Sequence, residues 1–158
     1  MASPVFGAHA IVLDASVAGA FIFKEPDRPG AKPVCDSIAR GDLAAFVPEL
    51  FWAELQNICL RKRDEKGLSQ AAIEAAYTDA QRLPVVSQTL ALTRYRADAW
   101  DLMRQVSGVG SYDFYYLALA IDLGIEVWTF DRRLRDAWSG SGSTMAGRVK
   151  VVGDDVVI

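Results

Sequence analysis

Apolar runs of strand length alternate with longer segments of helical period along most of this chain. This alternation is typical of parallel βαβ units, in which a crossover helix follows each strand. It predicts an α/β fold, a three-layer α/β/α sandwich with a mainly parallel sheet. The predicted strands cover residues 10–13, 45–47, 85–87, 126–130 and 149–152.

The segments between these strands have the spacing of helices. Pro48 suits the first turn of the third helix, and Gly67 suits its end. The predicted helices cover residues 15–23, 31–40, 49–63, 69–82, 89–106, 112–123 and 132–138.

The length of 158 residues is that of an ordinary single domain, so one domain over residues 1–158 is expected. No apolar run reaches the roughly 18 residues of a membrane span, because Asp122 interrupts the longest candidate. The N-terminus lacks the pattern of a signal peptide, and we expect a cytoplasmic protein. Cys35 and Cys59 are too few for a zinc site or a disulfide framework and are expected to be reduced core residues.

Two aspartates stand where predicted strands end. Asp14 follows the first strand and Asp131 follows the fourth. The carboxyl ends of parallel strands form the edge of the sheet at which ligands bind. A strand followed by Asp and then a helix is also the pattern of a helix N-cap, and taken singly each residue is more often a cap than a ligand.

Two further acids lie on predicted helices, in line with residues that face the core. Glu54 shares a helix face with apolar neighbours one turn away, and Asp113 heads an apolar line along its helix. The alternatives are that Glu54 pairs with Arg61, and that Asp113 complements the helix dipole. All four acids together are hard to explain as caps, because Glu54 lies well inside its helix.

If these four acids converge, their mutual repulsion raises their pKa values unless a cation lies between them. Oxygen ligands without a thiolate or a histidine pair favour Mg²⁺ or Mn²⁺ over Zn²⁺, and the single histidine, His9, precedes the first strand. Metal held by carboxylates is suited to phosphodiester hydrolysis.

The formal net charge of −3 does not indicate a protein that binds nucleic acid through its overall charge. Two local basic groups stand out, but taken alone each is more often a solvated helix face or a helix C-terminus that favours cations. They comprise Arg61, Lys62 and Arg63, and Arg132, Arg133 and Arg135.

The acids and their contexts resemble the PIN-domain ribonucleases, specifically the VapC-like toxins of bacterial toxin–antitoxin pairs. The similar segments are the Asp14-Ala15-Ser16 turn with the later Glu25, the helix that carries Glu54 and Asn57, the Tyr-Asp pair that opens the sixth helix, and the Thr-x-Asp strand end at Asp131. Residues 69–106 are covered only by their helical pattern.

This resemblance implies an endoribonuclease in which Asp14, Glu54, Asp113 and Asp131 hold one or two Mg²⁺ or Mn²⁺ ions. It implies that the polar residues Ser16, Asn57 and Thr129 orient those ligands or a metal-bound water. It also implies a homodimer, an antitoxin partner and a structured RNA substrate, and Arg132, Arg133 and Arg61 to Arg63 are the candidates to contact the RNA backbone.

Two other functions remain open at this stage. A PIN fold without activity could serve only as a binding module. A phosphoacceptor signalling domain also has acids at strand ends. It needs adjacent acids after its first strand and an Asp at the end of the central strand, whereas residues 85–87 end in no acid.

A homodimer is also indicated by large apolar residues beyond the needs of one core face, namely Phe51, Trp52, Tyr95 and Trp100.

Overall fold

The computed structural model describes residues 9–89, 93–141 and 146–158. Five strands of this part of the chain form one sheet: β1 (His9–Leu13), β2 (Leu43–Pro48), β3 (Val85–Gln88), β4 (Glu126–Thr129) and β5 (Val149–Val151). Their order is β3-β2-β1-β4-β5, and every neighbouring pair is parallel. The predicted α/β class with a parallel sheet is confirmed.

Seven α-helices of the described residues flank this sheet: α1 (Ala15–Ile22), α2 (Ala31–Arg40), α3 (Leu50–Lys66), α4 (Gln70–Gln81), α5 (Thr93–Met103), α6 (Asp113–Leu123) and α7 (Arg132–Ser139). A 3₁₀ turn, Ala146–Arg148, precedes β5. Right-handed crossovers place α1 to α4 on one face and α5 to α7 on the other, because the strand order reverses direction after β3. Helix α6 packs on β1, β2 and β4, which completes the predicted three layers.

The central strand β1 is buried on both faces. Ile11, Val12 and Leu13 have no exposed surface, as expected for a parallel sheet covered by helices on both sides. Both cysteines, Cys35 and Cys59, are buried free thiols, as predicted. No helix within the described ranges is long and apolar enough to cross a bilayer.

The sequence-based boundaries are close to the observed ones, with two differences. Pro48 does not open α3 but is the last residue of β2, where it pairs with Gln88 of the edge strand β3. The fifth helix begins at Thr93 rather than at Thr89, and residues 90–92 of the predicted helix lie outside the described part of the chain. Gly67 ends α3 with a φ of 63°, as predicted for a glycine after a helix.

The expected surplus of apolar surface is smaller than the sequence indicated. Phe51 and Tyr95 lie in the core of the chain, with 1% and 4% of their surface exposed, and Trp52 packs against that core. Burial by the chain's own helices therefore explains these three residues. Trp100 on α5 is 62% exposed and is the only one of the four that remains available to a partner.

Close packing of α1 against α3 depends on Gly19. A Cβ atom at this position would lie 3.0 Å from Cγ2 of Ile58, which is closer than packed carbon atoms normally approach. This contact brings α3, and with it Glu54, against the helix that begins at Asp14.

We expect Gly19→Val to lower the free energy of unfolding by about 1–3 kcal/mol, because the larger side chain overpacks the α1–α3 contact. In the double variant with Ile58→Ala, part of this loss should be recovered, since the shorter side chain removes the clashing atoms. Urea denaturation of the two single variants and the double variant measures the coupling. Additive losses in the double variant would contradict this account of the contact.

Candidate active site

The carboxyl ends of β1 and β4 lie side by side at the centre of the sheet. Leu13 pairs with Trp128, and the backbone N–H of Asp14 donates to the carbonyl of Trp128 at 3.1 Å. The crossovers on the two sides of this strand pair run to opposite faces of the sheet, so a crevice opens between them. Asp14 and Asp131 both follow these strand ends, as the sequence predicted.

Two hydroxyl groups fix the carboxylate of Asp14. Oγ of Ser16 and Oγ1 of Thr129 both donate to Oδ2 of Asp14, the former at 2.7 Å. Each hydroxyl oxygen in turn accepts a backbone N–H group, from Phe130 in the case of Ser16 (3.1 Å) and from Asp131 in the case of Thr129 (2.9 Å). Since the backbone donors occupy the hydroxyl oxygens, each hydroxyl proton is directed towards Asp14. Ser16 and Thr129 therefore orient this acid.

Asp131 caps the N-terminus of α7 and also lines the site. Its Oδ1 atom accepts from the backbone N–H groups of Arg133 (2.8 Å) and Leu134 (3.2 Å) at the start of α7. The capping alternative is thus correct for Asp131. It is incorrect for Asp14, which precedes α1 but makes no side-chain cap hydrogen bond.

Asp113 reaches the same edge from the opposite face of the sheet. Helix α6 leads through Gly124 directly into β4, so it ends where β4 begins and starts at the carboxyl edge of the sheet. Oδ2 of Asp113 accepts the backbone N–H of Gly110 at 2.8 Å, and the N–H of Asp113 donates to the carbonyl of Gly110 at 3.2 Å. These two reciprocal bonds fix the first turn of α6.

Glu54 is bound by a residue that sequence reasoning missed. The hydroxyl of Tyr116, a side chain only 1% exposed, donates to Oε2 of Glu54. The expected alternative, an ion pair between Glu54 and Arg61, is replaced by this hydrogen bond. The available signal was the spacing of Asp113 and Tyr116, which are three residues apart and therefore on one face of α6.

All four acids line one cleft of about 570 Å³, here called the acidic cleft. The hydroxyl and backbone N–H donors that hold each acid approach a single one of its carboxylate oxygens. Ser16 and Asn57 also line the cleft, but Asn57 is exposed and none of its recorded hydrogen bonds reaches an acid. The other residues of its wall are Ala15, Ile58, Leu60, Arg61, Asp64 and Tyr112.

Burial and mutual repulsion disfavour the ionised forms of these acids. Burial, followed by the charges of Asp14 and Asp113, raises the pKa of Glu54 to about 7, although the hydroxyl of Tyr116 opposes the shift. Burial and the charges of Asp14 and Asp131 raise the pKa of Asp113 to about 6. Burial also raises the pKa of Asp14 against its two hydroxyl donors. The cleft therefore brings together acids whose ionised forms the protein itself disfavours.

The donor set of the acidic cleft fits a hard divalent cation, because it consists of carboxylate oxygens with a hydroxyl and an amide nearby. In the arrangement observed, however, no three acidic, histidine or cysteine side chains of the described residues are close enough to hold one ion.

The predicted basic contacts divide into two groups. Arg61 and Arg133 lie along the clefts, and Arg133 Nη2 is 3.7 Å from Oδ2 of Asp131. Arg63 pairs instead with Asp64 at 2.8 Å, and Arg132 makes a two-point ion pair with Asp154 at 2.6 and 2.8 Å. Neither of these two residues lines a described cleft. Asp154 and Asp155 lie in a turn near the C-terminus that pairs with Arg132 and Arg135.

A larger cleft of about 980 Å³ adjoins the acidic cleft, and the two share Ser16, Ile58, Arg61 and Asp131. Glu25, the acid noted after the first helix, lies here and pairs with both Lys62 and Arg28. Arg28 also lies over the ring of Phe130, 5.2 Å from its centroid. Lys62, the remaining residue of the basic group Arg61 to Arg63, is therefore paired with Glu25.

The raised pKa values predict how stability depends on pH in EDTA. When the pKa of an acid is higher in the folded than in the unfolded protein, the folded state binds the proton more tightly. The contribution of that acid to the free energy of unfolding is then greatest at low pH. In the case of Glu54 it is lost as the pH rises from about 4.5 to about 7. At pH 7.5 we expect Glu54→Gln and Asp113→Asn to raise the free energy of unfolding by on the order of 1 kcal/mol.

Chemical denaturation at several pH values tests this expectation. The matched control is Asp98→Asn, which removes an exposed acid of α5 outside both clefts and should change stability little. Wild-type stability that increases from pH 5 to pH 8 in EDTA, or cleft variants that are less stable than wild type, would contradict the proposed repulsion.

The comparisons with known proteins agree with this architecture. The family model described as the PIN domain matches residues 11–138, which include all four acids. Among curated proteins, no sequence matches this chain significantly.

Two solved structures have a similar fold. VapC20 from Mycobacterium tuberculosis, described as a Sarcin-Ricin loop cleaving toxin, has a TM-score of 0.60 and 19% identity, over 80% of this chain and 94% of that chain. VapBC2 from Rickettsia felis, bound to a DNA fragment from its promoter, has a TM-score of 0.59 and 12% identity, over 90% of this chain and 98% of that chain. Identities this low establish the shared fold alone. Because the family model covers most of its length, this chain belongs to the PIN domain family.

Proposed function

We propose that this chain is a metal-dependent endoribonuclease that hydrolyses RNA phosphodiester bonds and acts as the toxin of a toxin–antitoxin pair. The observation that carries the proposal is the acidic cleft, in which four separate elements each contribute a carboxylate that hydrogen bonds of the protein hold in position. The description of VapC20 as a toxin that cleaves the sarcin-ricin loop supports RNA as the substrate class.

Asp14, Glu54, Asp113 and Asp131 would hold one or two Mg²⁺ or Mn²⁺ ions. When bound, such an ion lowers the pKa of water and neutralises charge that develops on the phosphate. The protein's own part is to position the ligands: Ser16 and Thr129 orient Asp14, Tyr116 orients Glu54, and the N–H of Gly110 orients Asp113.

Arg61 and Arg133 are the best placed of the proposed RNA contacts. Arg61 lies on the face of α3 that carries Glu54 and lines both clefts, while Arg133 begins the helix capped by Asp131. Guanidinium groups at these positions are suited to the phosphates on either side of the cleaved bond. Lys62, Arg63 and Arg132 are weaker candidates, since each forms a close ion pair with a carboxylate that is not one of the four acids.

The alternative functions have less support. A phosphoacceptor domain of the doubly wound type has the strand order 2-1-3-4-5, in which the third strand is internal. Here the third strand is at the edge of the sheet and ends in no acid. A PIN fold that only binds a partner has no need for four acids in one cleft, three of them with raised pKa values.

Cleavage of RNA by the purified chain should require Mg²⁺ or Mn²⁺ and should be abolished by EDTA. Asp14→Asn and Asp113→Asn should each reduce the rate by about 100-fold or more, because each removes a proposed metal ligand. The measurement is cleavage of total RNA and of a fluorogenic oligoribonucleotide, with Asp98→Asn prepared in parallel as the matched control that should keep the wild-type rate.

Activity that survives in both cleft variants, or that resists EDTA, would refute a metal-dependent site at these acids. Thermal melts give a reading that does not depend on catalysis. Wild type should melt at a higher temperature with Mn²⁺ than with EDTA, because an ion that binds only the folded state stabilises it. Asp14→Asn should respond less.

A toxin of this kind is proposed to be held inactive by an antitoxin encoded beside it, and its RNA substrate is consistent with a cytoplasmic location. The VapBC2 complex, in which toxin and antitoxin occur together, supports a protein partner of this type. We propose no contact residues for the antitoxin.

We further propose a homodimer, with Trp100 of α5 in the interface. The support is the exposure of 62% of this large apolar side chain. Light scattering at micromolar concentration should give the mass of a dimer for wild type and for the control Val157→Glu, and a lower mass for Trp100→Glu. A monomeric wild type would rule the dimer out.

A further inference from the structure

Tyr112 is an exposed aromatic residue at the wall of the acidic cleft. It directly precedes Asp113, and 56% of its surface is exposed. Most of the large apolar side chains exposed within the described residues lie outside this cleft, and only Leu60 and Tyr112 line it. An uncovered aromatic ring beside four carboxylates has no role in the core and none in binding a cation.

The backbone that carries Tyr112 is held rigidly with respect to Asp113. Gly110 and Asp113 exchange two hydrogen bonds, the N–H of Gly110 to Oδ2 of Asp113 at 2.8 Å and the N–H of Asp113 to the carbonyl of Gly110 at 3.2 Å. The carbonyl of Tyr112 accepts the N–H of Tyr115 at 3.0 Å. The backbone position of Tyr112 relative to the proposed metal ligand is thus set before any substrate binds, which reduces the entropy lost on binding.

The chemistry around the ring selects a nucleotide. Arg61, a phosphate-binding side chain, lines the same cleft as Tyr112, and the acids between them need a cation that in turn attracts phosphate. A phosphate held at the acids places the attached base within reach of the cleft wall. Aromatic side chains at such a position bind unpaired bases by stacking, with little preference for one base over another.

We propose that Tyr112 is the stacking platform for the base next to the cleaved phosphate. This inference rests on the proposed nuclease function and adds to it a residue that binds the substrate rather than the cation. A base inside a continuous duplex is stacked on its neighbours and cannot meet the ring without being unpaired.

The decisive substitutions keep the size of the side chain but change its aromatic character. Tyr112→Leu is apolar without an aromatic face, whereas Tyr112→Trp keeps a larger one. Because the residue is exposed, neither change should impair folding, and thermal melts verify this. Ile121→Ala, which alters an exposed apolar residue of the same helix outside the clefts, is the matched control.

The probe is a fluorescein-labelled RNA hairpin with an unpaired loop, compared with a closed duplex of the same stem. Wild type with Mn²⁺ should cleave the loop in preference to the duplex. Tyr112→Leu should raise KM for the hairpin by about 5- to 100-fold, as expected for the loss of one stacked base. Tyr112→Trp and Ile121→Ala should retain the wild-type KM within a few-fold.

A second reading reports stacking directly and does not depend on turnover. In the Asp14→Asn background, binding of a hairpin that carries 2-aminopurine in the loop should quench its fluorescence. The quenching should persist in Tyr112→Trp and be lost in Tyr112→Leu. This signature separates a stacking platform from a residue that merely shapes the cleft.

The outcomes distinguish the two proposals. A wild type that neither binds nor cleaves the RNA overturns the proposed function and the platform together. Wild-type cleavage with an unchanged KM and unchanged quenching in Tyr112→Leu overturns the platform alone. A Tyr112→Leu variant that loses only self-association or binding of a protein partner also overturns it, and places the ring in a protein interface.

Discussion

The parallel pairing of β1 with β4 is the constraint on which the acidic cleft depends. It places Leu13 beside Trp128, and the next residues of the two strands then meet at the switch point of the sheet. From there Ser16 and Thr129 join the two strand ends through Oδ2 of Asp14, while backbone N–H groups of residues 130 and 131 fix both hydroxyls. A change in the register of this strand pair would separate the hydroxyls from the carboxylate that they orient.

Helices bring the other two acids to the same edge from opposite sides of the sheet. The α1–α3 contact at Gly19 sets the approach of Glu54, and the connection of α6 to β4 sets that of Asp113. Assembly in this way has an electrostatic cost, because burial and repulsion raise the pKa values of Asp14, Glu54 and Asp113. This cost is the physical reason behind the proposed metal site, because a cation between the carboxylates would reduce it.

The alternatives at each acid were resolved by specific contacts. Asp131 is a cap through one oxygen and faces the cleft as well, so the two interpretations are compatible. Asp14 accepts hydroxyl protons rather than the amides of its helix. The basic residues separated in a similar way, because Asp154 and Glu25 bind Arg132 and Lys62 and leave Arg61 and Arg133 beside the clefts.

The order of apolar runs and helical segments determined the elements of this fold, since strand and helix periods are local properties of the chain. It also placed Asp14 and Asp131 at strand ends, because that position depends only on where each apolar run stops. The sequence pattern does not predict contacts between distant elements. The Tyr116–Glu54 hydrogen bond joins residues 62 positions apart, and the Thr129–Asp14 hydrogen bond joins residues 115 positions apart. Pro48 illustrates the same limit, because a proline that fits a helix start also fits the last position of a strand. The tertiary structure decided which acids share a cleft, which basic side chains are already paired and which aromatic ring remains exposed. Each of these depends on residues that only the folded chain brings together.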